Sequence, residues 1–349
     1  MYLKIRIAFI AATATTIGCA TQSPTIAPAP ANSDQVAEAD VRRVLSALAD
    51  DSMQGRRTAT PGARRAADFI VREMKSIGLE PVGDSGYLQR VPFAMVPREG
   101  RPPRLTLLDS LGALNSYPDS ARRVSYNIIG VIRGSDPVMR DQIVVFAAHY
   151  DHLGIGTPVN GDSIYNGADD DASGVTTVLE IARAFAHGPK PKRTIVFMAT
   201  TGEEEGTLGT RWYVDHPVFP LSKMIAEMEV EMIGRPDSLA GGKGKAWMTG
   251  YDRSTMGAML KAAGIPIVAD PYPAQHFFER SDNIVFARKG IPAHTFSSYN
   301  LHADYHKPSD DIAGIDFAHV TAVARAAVSA ARILADGPAP VWNPGGQPK

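Results

Sequence analysis

Near its middle the chain runs Gln142-Ile143-Val144-Val145-Phe146-Ala147-Ala148-His149-Tyr150-Asp151-His152, an apolar stretch that stops abruptly in polar residues. Ile143 to Ala148 show no polar alternation, which suits a strand buried on both faces, as in a parallel sheet covered by helices. Beyond His152 a Gly- and Asn-bearing loop leads to Asn166-Gly167-Ala168-Asp169-Asp170-Asp171-Ala172-Ser173-Gly174. Val175, Val178, Leu179, Ala182 and Phe185 then recur at helical spacing. Polar groups therefore collect where a buried strand ends and a helix starts, which is where open α/β sheets hold ligands.

The pattern repeats outward. Thr194-Ile195-Val196-Phe197-Met198-Ala199 reads as a second buried strand and ends in Thr201-Gly202-Glu203-Glu204-Glu205-Gly206. Met224–Val230 reads as a third and ends in Glu231-Met232-Ile233-Gly234. Residues 126–132 form a strand leading to the central one, with shorter strands expected at 87–93, 104–108, 246–248 and 293–296. Helices fit 36–48, 254–263, 282–288 and 317–335. Another helix is bounded by Thr60 as cap, Pro61 in its first position and Gly78 as its stop. This alternation predicts an α/β three-layer sandwich, with a mixed, largely parallel central sheet flanked by helices and the polar clusters at the strand C-terminal ends.

The 349 residues are 44% apolar and 21% charged, an ordinary globular balance. Lys and Arg number 36 against 37 Asp and Glu, so no basic excess recommends nucleic acid as a partner. Residues 1–20 read as an export signal: Lys4 and Arg6 precede an apolar run, 7–17, too short to span a bilayer. Gly18-Cys19-Ala20 suits ordinary signal cleavage. Cys19, the single cysteine, also stands where bacterial lipoproteins carry their lipid anchor, although Thr16 occupies a place usually held by Leu or Val. Both routes imply export, to the periplasm, the outer membrane or the medium, and one cysteine leaves no internal disulfide. Residues 21–33 read as a flexible linker and 337–349 as a loose tail, around a single domain at 34–336 in which 34–125 is a lead-in packed on the rest.

Three strand ends present His149 with Asp151, Glu203 with Glu204, and Glu231. One loop adds Asp170, and a late segment adds His302-Ala303-Asp304-Tyr305-His306. Histidines and carboxylates without a thiolate suit catalytic Zn²⁺. The set exceeds the need of one ion and suits two that share a bridging carboxylate. Taken singly, a strand-end His or Asp is ordinarily a cap or a surface group, and Asp169-Asp170-Asp171 is an acidic run favoured at a helix N-terminus. Three clusters on successive strand ends outweigh those readings. His152, His276 and His302 are read as surface groups or as supports behind the ligands.

Ala148-His149-Tyr150-Asp151-His152-Leu153-Gly154, the Gly167–Gly174 run, and Gly202-Glu203-Glu204-Glu205-Gly206-Thr207-Leu208-Gly209-Thr210 together resemble the di-zinc aminopeptidase family of clan MH, which includes bacterial leucyl aminopeptidases and glutamate carboxypeptidases. Tyr305-His306-Lys307-Pro308-Ser309-Asp310 is similar to its final histidine motif. Gly55-Arg56, Thr60-Pro61-Gly62 and Gly78-Leu79 are similar to its N-terminal lead-in. The resemblance implies two Zn²⁺ ions bridged by Asp170, one completed by His149 and Glu231, the other by Glu204 and His306. It also implies Asp151 orienting the His149 ring, Glu203 as general base, Tyr305 as a donor to the oxyanion, and a cis bond between Asp170 and Asp171. Two departures stand out: Glu231 replaces the usual aspartate, with Glu229 kept as runner-up, and Asn283 replaces a frequent histidine. Residues 93–125 are too few for the inserted domain that many relatives carry. The activity implied is an exported aminopeptidase acting on peptides with a free N-terminus. Alternatives are a carboxypeptidase for acidic dipeptides, which needs an arginine cluster drawn from Arg211, Arg235 or Arg280, and a single-zinc glutaminyl cyclase. A receptor that has lost its metals is the third.

Overall fold

All seven residues of Ile143–His149 and of Thr194–Thr200 are buried, as an apolar run without alternation requires when helices cover both faces of a sheet. The computed structural model describes residues 36–349. The readings of 1–33 as export signal and linker, with Cys19, lie outside the described residues. In chain order the strands are β1 (Glu80–Pro81), β2 (Leu88–Arg98), β3 (Arg101–Leu107), β4 (Arg122–Ile132), β5 (Ile143–His149) and β6 (Gly154–Val159). They continue with β7 (Asp162–Tyr165), β8 (Thr194–Thr200), β9 (Met224–Val230), β10 (Ala246–Met248), β11 (Ile267–Ala269) and β12 (Ala293–Ser297). The helices are α1 (Glu38–Leu48), α2 (Pro61–Ile77), α3 (Gly174–His187), α4 (Leu208–Asp215), α5 (Met256–Ala262), α6 (Asn283–Arg288) and α7 (Phe317–Asp336).

The main sheet has the order β11-β10-β12-β9-β5-β8-β4-β2-β3, with β1 paired to β4. β12, β9, β5 and β8 are parallel neighbours. Antiparallel β4, β2 and β3 extend one side. On the other, β10 is antiparallel to β12 and parallel to β11. The parallel run sets the carboxyl ends of β12, β9, β5 and β8 side by side. Alternate residues go to opposite layers. Val144, Phe146, Ile195, Phe197, Ala226 and Met228 join the core beneath α1, α2, α3 and α7. Val145, Ala147, Val196 and Met198 pack with Tyr213 and Val214 of α4 and Phe286 of α6. This is the three-layer arrangement expected.

The lead-in is built on local signals. Thr60 Oγ1 accepts from Ala63 N at 3.4 Å, and Gly78 at φ 86° ends α2 by donating to Met74 O. α1 enters along α7, where the Arg325 guanidinium donates to Val36 O at 2.9 and 3.2 Å. The far end of α1 reaches the polar end of the sheet.

Two expectations are corrected. The loop after His152 contains a hairpin, β6–β7, turned at Asn160 (φ 52°) and Gly161 (φ 91°). The C-terminal segment, expected to be loose, is held. Thr255 N donates to Val341 O, Val341 N to Thr255 Oγ1, and Trp342 Nε1 to Gly290 O at 2.9 Å. Apolar burial of the Trp342 ring beside α6 is the physical reason the Pro/Gly-rich end stays down.

Candidate metal centre

The strands deliver the donors in order. His149 is the last residue of β5, the turn after β8 carries Glu203 and Glu204, and Glu231 follows β9 directly. Asp170 comes from the 168–173 turn ahead of α3, and its bond to Asp171 is cis, as expected. Asp170 stands at the centre. Its Oδ1 lies 3.2 Å from His149 Nε2, and its Oδ2 lies 3.2 Å from His306 Nε2 and 3.8 Å from His152 Nδ1. Glu231 Oε1 is 3.9 Å from His149 Nε2. Glu204 Oε1 is 2.7 Å from His152 Nδ1, and Glu204 Oε2 is 3.2 Å from His306 Nε2. Two ligand groups result, His149–Asp170–Glu231 and His152–Asp170–Glu204, and they share Asp170.

These atoms are close without being hydrogen-bonded. His149 Nε2, His152 Nδ1, His306 Nε2 and Glu204 Oε1 are buried and have no hydrogen-bond partner. Their lone pairs converge on common points instead of on one another. Ligands about 2.0–2.2 Å from a tetrahedral ion lie about 3.3–3.6 Å apart, close to several of the separations here. The donor set therefore fits zinc.

The charges agree. Burial opposes ionisation of Asp170, but His152, His149 and His306 outweigh it and hold the carboxyl well below its ordinary range. Burial likewise opposes a charge on His306, yet Asp170 and Glu204 raise its pKa to about 10. For Glu203, burial dominates. Glu231, Asp282 and Glu204 add to it against His149, and the carboxyl is pushed well above its usual range. A carboxylate raised in this way is suited to accept a proton near neutral pH. Tyr305 stacks on His306 with ring centroids 3.8 Å apart. Burial first, then Asp170, Glu204 and Glu231, raise its phenol pKa, so it stays a donor.

Each neighbour of Asp170 has a different task. Asp169 Oδ1 accepts from Gly234 N at 2.6 Å, and its Oδ2 meets His302 Nε2 at 3.0 Å. Asp171 Oδ1 accepts from Gly174 N and Met232 N. Asp310 accepts from the backbone N–H groups of Asp169 and Asp170. The flanking aspartates thus stitch the turn to β9 and to the late loop, and only the middle one faces the centre. Arg56, fully buried, donates to Tyr150 O, Leu48 O, Asn166 O and Gly167 O at 2.5–2.8 Å. One guanidinium thereby ties the segment carrying His149 to the segment leading to Asp170.

One site expectation changes, and two that were left open are narrowed. Asp151 meets His149 Nδ1 through its main-chain carbonyl at 3.1 Å, while its carboxylate oxygen is 4.0 Å away. That carboxylate is engaged by the Thr58 hydroxyl at 2.8 Å and Glu203 N at 3.2 Å, so it braces the Glu203 turn. His152 is 1% exposed and points at Glu204, so of its two readings the support behind the ligands holds. Glu229, the runner-up to Glu231, is buried on the α4/α6 side of β9 and does not join either ligand group. No arginine cluster forms among the described residues: Arg235 pairs with Asp304 at 2.6 Å, Arg211 lies with Arg288 and Lys289, and Arg280 alone lines a recess beside Glu231.

The aminopeptidase from Aneurinibacillus sp. strain AM-1 has a similar fold, with a TM-score of 0.63 at 16% identity over 89% of this chain and 97% of that one. Glutaminyl cyclase from Porphyromonas gingivalis follows at 0.57 and 17%, over 85% of this chain and 98% of that one. In sequence the chain is 29% identical over 208 residues to a probable zinc metalloprotease of Pyrenophora teres f. teres, 57% of this chain and 42% of that protein. It is 28% identical over 176 residues to a probable leucine aminopeptidase 2 of Aspergillus oryzae, 49% of this chain and 33% of that protein. The chain thus spans less than half the length of these two curated relatives. Residues 127–331, from β4 into α7 and including every donor above, match peptidase family M28, and the chain belongs to that family.

Proposed function

We propose that this chain is an exported metallo-aminopeptidase that holds two zinc ions and removes the N-terminal residue of peptides. The observation that supports this most is the pair of ligand groups meeting at Asp170, whose two carboxylate oxygens face different histidines. His149, Asp170 and Glu231 would hold one ion, and Asp170, Glu204 and His306 the other, with His152 against Glu204. Zinc held there would supply polarisation of the scissile carbonyl and a bound water whose pKa would be lowered to about 7.

The chain's own residues do the rest. Glu203 Oε takes the proton of the attacking water and delivers it to the leaving amine nitrogen. The Asp151 carboxylate holds Glu203 in place through the Glu203 N–H. The Tyr305 hydroxyl donates to the oxygen that gains charge. A free ammonium suits the acidic surroundings, and acetylation removes that charge.

The test is metal content per chain, together with a panel of aminoacyl chromophores and their N-acetyl forms, with and without chelator. Two zinc ions and cleavage of free-amine substrates alone are expected, with activity lost on chelation. One zinc with cyclisation of N-terminal glutamine would establish the glutaminyl cyclase alternative instead.

A further inference from the structure

Beside Glu231 lies a small recess that opens to solvent. Trp247, Phe277, Tyr299 and Tyr305 wall it, with Trp247 and Phe277 stacked at 5.3 Å and Tyr299 and Tyr305 at 5.3 Å. Aromatic walls alone would suit any large apolar residue. The polar lining says more.

Three of the six hydroxyls at the recess are already engaged. Thr295 Oγ1 donates to Asn283 Oδ1 at 3.0 Å, and Asn283 is itself fixed by donating to Phe278 O. Ser297 Oγ donates to Met232 O, and Thr249 Oγ1 accepts from Thr295 N. Asn283, where the resemblance led one to expect histidine, therefore serves the floor. Four groups are left over. Ser281 Oγ is buried, with the residue 2% exposed, and has no partner. The adjacent Arg280 guanidinium lies 5.1 Å from the Phe277 ring centroid, and no hydrogen bond or ion pair engages it among the described residues. The hydroxyls of Tyr299 and Tyr305 likewise carry no internal hydrogen bond. Arg280, a permanent cation, also acts on both tyrosines, lowering pKa values that burial has raised.

The Arg280 guanidinium is the one group of the recess that can only donate, and it calls for a ligand that brings an acceptor. An aliphatic side chain there offers it none. A carboxylate accepts several donors at once and pairs with guanidinium in a charge-assisted bond. Resting on the aminopeptidase reading, we propose that this recess selects peptides whose N-terminal residue is acidic, glutamate before leucine, with Arg280 and Ser281 as the specificity-determining residues.

The experiment uses the zinc-loaded full chain. kcat/KM is measured on glutamyl-, aspartyl-, glutaminyl-, leucyl- and phenylalanyl-aminomethylcoumarin for wild type, Arg280→Ala and Ser281→Ala. In parallel, calorimetry measures binding of free L-glutamate and L-leucine. Wild type is expected to favour glutamyl over leucyl by about tenfold or more, the scale at which an unpaired polar group in a site discriminates. Arg280→Ala, a change at an exposed residue, should abolish that ratio. Ser281→Ala should shrink it less. A leucyl or phenylalanyl preference in wild type, or a ratio unmoved by Arg280→Ala, overturns the proposal. If no aminoacyl substrate is cleaved, the aminopeptidase reading fails. The recess is then decided by binding alone: glutamate preferred, with the preference lost in Arg280→Ala, supports it, and equal binding rejects it.

Discussion

Glu203 and Glu204 are neighbours on one turn, yet their surroundings push them apart. Burial and three carboxylates raise Glu203, while His152 and His306 outweigh burial at Glu204 and lower it. Glu203→Gln is therefore expected to keep two zinc ions and the fold while kcat drops about 10²–10⁴-fold. Glu204→Gln should lose zinc, because an amide is a poor ligand beside a carboxylate. Metal analysis alongside kcat separates the two, and the reverse pattern would move the base by one residue. Arg56 is tested differently. Arg56→Met strips four buried carbonyls of their donor, so stability should fall by roughly 3 kcal/mol or more. Zinc affinity should weaken with it, since two of those carbonyls flank His149 and the Asp170 turn. Unchanged zinc affinity in a folded Arg56→Met protein would reduce Arg56 to a structural support. Most of this residue-scale picture was legible, because carboxylates and imidazoles at strand ends leave a mark in sequence. His152 was not, since a histidine one loop turn beyond a ligand looks the same whether it faces in or out. The division of labour within Asp169-Asp170-Asp171 was equally hidden, being set by which backbone N–H groups each carboxylate meets.

At the scale of elements, the strands with unbroken apolar runs and the α2 helix, with its cap, proline and stop glycine, fell where periodicity put them. The β6–β7 hairpin did not, although Asn160-Gly161 is a strong two-residue turn signal; its strands are short, and β6 is broken by Gly156 and Pro158. α4 has only eight residues and was masked by the glycines before it. β12 and α7 each carry a buried histidine whose role no pattern announces. His294 Nε2 meets Ser254 Oγ at 2.7 Å and its Nδ1 meets Thr249 O at 2.8 Å, while His319 sits between Ser298 Oγ and Gly244 N, both at 2.9 Å. Burial lowers both pKa values to about 4. Unfolded, each titrates near 6.5. Between these values the unfolded chain binds more protons than the folded one, so stability present above about pH 6.5 is lost as pH falls toward 4. The Tm should drop steeply across that window. His319→Gln, less stable at neutral pH, should lose fewer degrees between pH 6.5 and 4; parallel slopes would show that other groups govern acid unfolding.

For the whole molecule, the two ends of the described chain contribute unequally. Removing residues 338–349 takes away Trp342, its bond to Gly290 and the pairing of Val341 with Thr255, and should lower Tm by several degrees. A Tm unchanged by that truncation would restore the loose-tail reading.

Arg325 clasps Val36 partway along α7, whereas Leu48, at the other end of α1, touches Arg56 next to the ligand loops. The 11 residues of α1 rise about 16 Å between those points. The helix is thus a strut, with the handle at one end and the working opening at the other. A load applied at Val36 therefore reaches α7 and α1 before it reaches Asp170.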